Sequence, residues 1–550
     1  MAAFLRKGPA SRPWASLHSA TRCSSRVFSR AISKERSFEK AVELLETLQS
    51  NKQVVKTVST SRHDANAVAI PEMLCLLRKV GYPPEDFTNR LNFIHVAGTK
   101  GKGSVCAMVE SILLQYRGST GGSQKGTLGK IGLYTSPHLT TVRERIRIDG
   151  ITLSKRTFAR HFFSLWDRFS NADCETRPSY FRYLTIMALH TFIQEGVETA
   201  IIECGIGGEY DSTNILPQGS VTATGITSLG IDHIGMLGET IEEIAWHKAG
   251  IMKGGVPAFT VKQSPDAQGV LERRASERGV DLAVVEPSWA TEEPKLGLGG
   301  QFQHENAALA TSLAACHLRR LGICRDVPEP GHTALDTLPG NFVAGLQTVE
   351  WPGRCQILKD GNLTWYLDGA HTSDSIRAAA AWFRGHLVQA KAEPNPPSAT
   401  MLIFNQEDRD GVALLRDLMD ALYKAGPVQR MGVVKPRRSS FDRPVRRLGT
   451  AIFTYAAFPT NMPFMASTNN ASIKAQERLA SAYQSLDGNS LHMSYATIEE
   501  AVQLARRVSG GDEQVLVLVT GSLYLVGGVL QVLQSLHVHP RNKVESEASD

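Results

Sequence analysis

From residue 91 onward, short apolar runs alternate with longer stretches whose apolar residues recur three and four apart. The runs at 93–97, 130–134, 199–203, 221–226 and 256–259 have the length of buried strands, and each ends in a polar or glycine-rich turn. Strand–helix alternation of this kind predicts a parallel sheet covered by helices. A second series begins near residue 353, with strands expected at 363–367, 400–404, 429–434 and 514–519. Ahead of both, residues 37–53 place Phe38, Val42, Leu45 and Leu48 on one side of a helix. The pattern contains no internal repeat and no heptad run. In open α/β sheets, ligands bind at the carboxyl ends of the strands, so the turns that close these runs are where chemistry is expected.

The two series are separated by the turn-rich passage DVPEPGHTALDTLPGNFVAGLQTVEWPG, and the junction between two domains is placed near residue 345. A chain of 550 residues exceeds what one core usually organises. Segments 117–129 (Gly/Ser-rich), 393–398 (Pro-rich) and 435–440 (basic) read as surface insertions, and residues 541–550 as a disordered tail.

Apolar residues make up 42% of the chain and charged residues 21%, values ordinary for a globular protein. The formal net charge of +6 does not indicate a nucleic-acid groove. Residues 1–34 hold seven Lys and Arg and no Asp or Glu, and without them the remainder stands at −1. That segment is also Ser-rich, which is the composition of a mitochondrial transit peptide. The expected location is therefore the mitochondrial matrix, with a cytoplasmic form left open. Eight scattered cysteines form no C-x-x-C pair, so neither a disulfide framework nor a zinc site is indicated. The uncharged stretch 514–536 is broken by Thr520-Gly521-Ser522 and by Gln531 and Gln534. It reads as a buried strand, a glycine turn and a core helix, with no transmembrane segment.

The turn after the first run is Gly98-Thr99-Lys100-Gly101-Lys102-Gly103-Ser104, preceded by a strand and followed by a helix with Val105, Val109 and Ile112. Glycine turns at a helix mouth expose backbone N–H groups that cradle an anion. The stretch has the make-up of a P-loop, except that Gly103 separates Lys102 from Ser104. A P-loop needs an acidic partner for its metal. Glu203, at the carboxyl end of a buried run, is such a partner, because a carboxylate buried there must be paired or coordinate a metal. Gly205, Gly207 and Gly208 follow it and would let the backbone approach a ligand. Taken singly, His233 reads as a hydrogen-bonded structural histidine and Lys248 as a solvated helix lysine.

Taken in order, the set is recognisable. Gly98–Ser104, Thr135-Ser136-Pro137-His138-Leu139, Glu203-Cys204-Gly205-Ile206-Gly207-Gly208, Asp232-His233 and Lys248-Ala249-Gly250-Ile251 resemble folylpolyglutamate synthase, a family of the Mur-type ATP-dependent amide ligases. The likeness continues through Gly353-Arg354, Leu367-Asp368-Gly369-Ala370-His371 and Gly521-Ser522-Leu523, so it spans about residues 37 to 537. It implies an α/β protein with an N-terminal P-loop parallel-sheet domain (37–345) plus a C-terminal Rossmann-like α/β domain (346–540), and an active site in the cleft between them. It also implies a reaction. ATP phosphorylates the γ-carboxylate of a folate, and the amine of L-glutamate then displaces the phosphate.

The residue roles follow from the same resemblance. Thr99, Lys100, Gly101, Lys102 and Gly103 would cradle the phosphates. Ser104, Ser136, Glu203 and His233 would hold Mg2+, with two ions expected and a monovalent cation such as K+ as a further candidate. Gln303 and Asn306 would lie near the adenine, Arg354 and Asp368 would contact ATP, the Asp at the ribose, and His371 would contact glutamate or phosphate. Lys248 would be carbamylated. The expected partners are folate, L-glutamate and ATP, with no nucleic acid, and the expected state is a monomer. Two rivals are dihydrofolate synthase, which joins glutamate to dihydropteroate, and a P-loop regulatory protein that binds nucleotide without ligation. The rival synthase more often carries Asn where Lys100 stands, and a regulatory protein would not need Asp368 and His371 in a second domain.

Overall fold

The structure is a computed structural model that describes residues 36–48, 62–118, 127–171, 177–289, 294–332, 334–407, 409–424, 452–462, 473–487, 490–510 and 513–537. The leader 1–34, most of the Gly/Ser-rich loop, the strand expected at 429–434, the basic insertion and the tail lie outside the described residues.

The first sheet comprises β1 (Asn92–Ala97), β2 (Lys130–Tyr134), β3 (Ile146–Ile148), β4 (Ile151–Thr152), β5 (Val197–Glu203), β6 (Val221–Ile226), β7 (Ala258–Val261) and β8 (Leu282–Val285), in the order β4-β3-β2-β5-β1-β6-β7-β8. From β2 to β8 every pairing is parallel, while β3 and β4 add an antiparallel edge. β1 is central. Val96 lies opposite Glu203 on one side and Gly225 on the other, so the loop leaving β1 is flanked by the ends of β5 and β6. Strands covered by helices on both faces need apolar side chains throughout, which is why β1 and β6 read as continuous runs without alternation. The helix Lys102–Leu114 is buried nearly all round, between the sheet and the helices Gln303–Arg320 and Gly340–Thr348.

The second sheet holds β9 (Gln356–Asp360), β10 (Leu363–Leu367), β11 (Ala399–Phe404), β12 (Tyr455–Pro459), β13 (Leu491–Tyr495) and β14 (Val515–Thr520), in the order β13-β12-β11-β14-β10-β9. Only β9 is antiparallel. β14 enters between β10 and β11 and is buried along its whole length, which accounts for the uncharged stretch there. The helix Leu523–His537 follows. Among the described residues no helix is long and apolar enough to cross a membrane.

Most strands that the apolar pattern did not announce are short or lie at edges; β12 is the exception, an interior strand whose run ends in Pro459. β9 and β13 alternate between half-buried and exposed positions, so neither presents an apolar run. β7 begins two residues later than expected, at Ala258. Residue 345 lies inside the helix Gly340–Thr348, which packs on the first half. A Cβ at Gly345 would come within 2.6 Å of Ile112 Cα. The chain therefore crosses to the second half after Thr348, through Trp351, Gly353 and Arg354.

Candidate active site

β1 ends at Ala97, and the chain turns through Gly98 and Gly101 into the helix Lys102–Leu114. Gly98 has φ 145° and would place a Cβ 1.8 Å from Thr227 Oγ1, while Gly101 has φ 91° and would place one 2.3 Å from Asn306 Oδ1. Neither position accommodates a side chain. No side chain caps this helix, so its first amides and the positive end of its dipole remain available to an anion.

The cradle is narrower than the sequence suggested. The amides of Thr99 and Lys100 both donate to Ser228 O at 3.0 Å. Thr99 Oγ1 donates to Gly230 O at 3.1 Å, and Lys100 Nζ pairs with Asp232 Oδ2 at 3.2 Å. In this conformation Thr99 and Lys100 tie the loop to the turn after β6, which leaves the anion to the amides at the start of the helix and to Lys102.

Two amines converge on one carbonyl. Lys102 Nζ donates to Gly98 O at 3.2 Å, and Lys248 Nζ donates to the same oxygen at 2.7 Å. Lys248 stands in the last turn of the helix Ile241–Ala249 and is 3% exposed. Burial first, and Lys102 second, lower its pKa to about 7.

Glu203 ends β5, is 4% exposed, and accepts the Ser136 amide at Oε2, 3.0 Å away. Burial pushes its carboxyl above the usual range, against the pull of Lys102, the Ser136 amide and Arg354. Ser104 is buried and accepts from Gln303 Nε2 at 3.5 Å. His233 takes a left-handed conformation at φ 53°. Partial burial lowers the pKa of its ring, with Asp232 opposing and Lys102 and Lys248 adding. Ser136 and Glu203 thus touch, Ser104 follows Lys102 in the loop, and His233 lies within electrostatic reach of both lysines. Among the described residues no group of three or more His, Cys, Asp or Glu is placed to hold a metal.

The second half contributes Arg354, His371 and a residue the sequence reading passed over, Arg409. Arg409 Nη2 reaches Asp232 Oδ1 at 2.9 Å, so Asp232 bridges Lys100 of one half and Arg409 of the other. Burial would raise the Asp232 carboxyl, but Lys100, His233 and Arg409 outweigh it and hold it well below the usual range. The only sequence signal for Arg409 was its place just after a strand of the second series. His371 Nδ1 donates to Gly369 O at 3.0 Å. Burial, opposed by that bond and reinforced by Lys100, Arg409 and Arg354, lowers the ring to about 4, so it stays neutral among cations.

Three of the expected segments also make contacts within the chain. Asp368 is 6% exposed and directs its oxygens to the chain, with Oδ2 accepting from Cys355 N at 2.8 Å and Oδ1 from Ala370 N at 2.9 Å. These bonds clamp the turn that carries Arg354 to the turn that carries His371. Gln303 and Asn306 are buried and bonded to each other at 2.8 Å, with Asn306 against Gly101 and Gln303 against Ser104. They brace the P-loop from behind. Finally, the glycines after Glu203 admit protein and not ligand. A Cβ at Gly205 would meet the Phe181 ring at 2.4 Å, and one at Gly208 would meet His247 O at 2.6 Å. Gly208 seats the helix that carries Lys248, and Gly205 seats the helix Tyr180–Glu195.

A P-loop at the end of a central parallel strand, with a buried glutamate on the neighbouring strand and a second α/β half facing it, defines an ATP-binding enzyme of two α/β halves. No protein-family model matches the chain. It is 40% identical over 530 residues to the folylpolyglutamate synthase of Candida albicans, covering 92% of this chain and 97% of that one. Among solved structures it resembles Mycobacterium tuberculosis folylpolyglutamate synthase complexed with ADP and AMPPCP (TM-score 0.60, 21% identity, 84% of this chain and 95% of that one). It likewise resembles an FPGS–AMPPCP–folate complex (TM-score 0.60, 22% identity, 90% and 99%). The chain belongs to the folylpolyglutamate synthase family.

The clamp at Asp368 has a measurable consequence. Asp368→Asn would turn an amide N–H toward a backbone N–H in a buried place, at a cost of about 1–3 kcal/mol. The variant is expected to unfold at lower denaturant and to show a raised KM for ATP, because Arg354 loses its fixed origin. Urea unfolding together with steady-state kinetics checks this, and a parental unfolding midpoint would remove the clamp.

Proposed function

We infer that the chain is an ATP-dependent ligase that adds L-glutamate to the γ-carboxylate of a tetrahydrofolate, extending folylpolyglutamates. The observation that carries the reading is the position of Lys102 at a P-loop mouth between Glu203 and His233, opposite Arg354, His371 and Arg409 of the second half. A carboxylate is a poor acyl donor. Transfer of the γ-phosphoryl group of ATP to it makes an acyl phosphate, and the amine of glutamate displaces phosphate to form the amide. Charge moves in the first step, and Lys102 and the helix amides stand where they would offset it. The cation-rich surroundings of His371 suit the anionic groups of the incoming amino acid or the departing phosphate.

Mg2+ fits the donor set. One buried carboxylate with hydroxyls beside it is too small for an all-protein cage, and a site completed by nucleotide phosphates is how this ion is usually held. Ser104, Ser136 and Glu203 would hold it, with His233 as a less usual ligand for a hard cation. When bound, it would neutralise phosphate charge and orient the transferring group. Lys248, a buried amine of lowered basicity, is suited to add CO2 and become an anionic carbamate.

The test is ADP release that depends on glutamate. Tetrahydrofolate should support it and dihydropteroate should not. The reverse preference would make the chain a dihydrofolate synthase, and glutamate-independent hydrolysis alone would favour a regulatory nucleotide-binding protein.

A further inference from the structure

Leu139 belongs to the first half, on the loop that starts at Ser136, yet its side chain packs against the hydrophobic cluster of the second sheet that contains Val526 and Val529. Its Cδ atoms lie 3.3 Å from where a Cβ would stand on Gly353, and its carbonyl oxygen lies 2.1 Å from where one would stand on Gly527. Gly527 is inside the helix Leu523–His537, a place where glycine weakens a helix. The approach of the Leu139 backbone is the physical reason no side chain fits there. Gly353, at φ 75°, meets the same leucine from the other side.

The loop that carries Leu139 is held firmly. The Glu144 carboxylate accepts the amides of Leu139 at 2.7 Å, Thr140 at 3.1 Å and Thr141 at 2.9 Å, and Arg145 Nε donates to His138 Nδ1 at 2.9 Å. At the start of the loop, Ser136 gives its amide to Glu203. On the far side, Gly353 precedes Arg354, and its carbonyl accepts the Gly369 amide at 2.9 Å, in the turn that leads to His371. A displacement of Leu139 from its seat would therefore shift the Ser136–Glu203 pair relative to Arg354.

We propose that Leu139 is a positioning residue: seated between Gly353 and Gly527, it holds the Ser136–Glu203 pair in register with Arg354 across the two halves. The proposal rests on the ligase reading above. It concerns alignment during turnover and not the binding of ADP, which is left to the P-loop amides and Lys102 of the first half; Arg354 enters through the phosphoryl group that ADP lacks.

Gly527→Ala, Leu139→Ala and Leu139→Met in the full chain test it. The methyl of Gly527→Ala would meet the Leu139 carbonyl, so it must push Leu139 off the seat, and the gain in helix propensity offsets only part of the resulting loss in Tm. The variant's kcat at saturating substrates should fall about tenfold or more, with the Kd for ADP within about twofold of the parent. Leu139→Ala should lose kcat in the same way, and Leu139→Met, which can refill the space, should recover most of it. Parental kcat in either alanine variant overturns the proposal, as does a loss that Leu139→Met shares in full. The parent is measured first: if it shows no glutamate-dependent ADP release, the ligase reading has failed and not the seat.

Discussion

Lys102→Ala is expected to lower kcat/KM for ATP by a factor on the order of 10³, with glutamate-dependent ADP release close to background. Lys102 stands at the mouth of an uncapped helix, and its described hydrogen bond is to Gly98 O at 3.2 Å; the substitution withdraws one cation from the buried Glu203 but also relieves the buried Lys248 of a like charge, two effects that oppose each other. The unfolding midpoint should therefore stay near that of the parent. Lys100→Ala is the instructive control. Lys100 is engaged with Asp232, and removing it should weaken the bridge to Arg409 more than it weakens phosphate binding. Kinetics with nucleotide titration on both variants separates the roles. Turnover within about tenfold of the parent in Lys102→Ala would end its assignment as the phosphate-reaching lysine.

Lys248→Ala is expected to be nearly as damaging, by about 10²–10³ in kcat. A lysine buried to 3% exposure beside a second amine is costly as an ammonium, and its pKa of about 7 leaves much of it neutral at neutral pH. Only the neutral amine adds CO2. The sign follows: as pH falls below about 7 the ammonium gains, so both a carbamate signal and activity should decline on the acid side. ¹³C-bicarbonate NMR reads the modification directly, as a resonance present in the parent and missing from Lys248→Ala. Short carboxylates added to the variant should return part of the activity by supplying the missing anion. A parent enzyme active without bicarbonate and lacking that resonance would leave Lys248 as an ammonium held by Gly98 O.

Much of this molecule could be read along the chain. β2, β6 and β10 fall where the apolar runs placed them, because a strand buried on both faces carries its own continuous signal. The P-loop was equally open to reading, since positive φ at Gly98 and Gly101 demands glycine and the demand is local. The edge strands β9 and β13 were not legible, because half-exposed positions dilute the apolar pattern.

Which partner each polar residue takes was beyond any local pattern. Asp368 was visible as a buried acid at a strand end, but only the fold turns its two oxygens onto the amides of Cys355 and Ala370. Thr99 and Lys100 carried the composition of a phosphate cradle, and only the fold brings Ser228 O and Asp232 to take them up. The sequence by itself determined the two α/β halves, the glycine turn at the end of β1 and the family. The tertiary structure alone decided which groups are spent on the chain and which remain for a ligand. The physical reason is range. Propensity and periodicity act over a few residues, whereas the pairs that set the site, Lys100 with Asp232, Lys248 with Gly98 and Arg409 with Asp232, join residues 132, 150 and 177 apart.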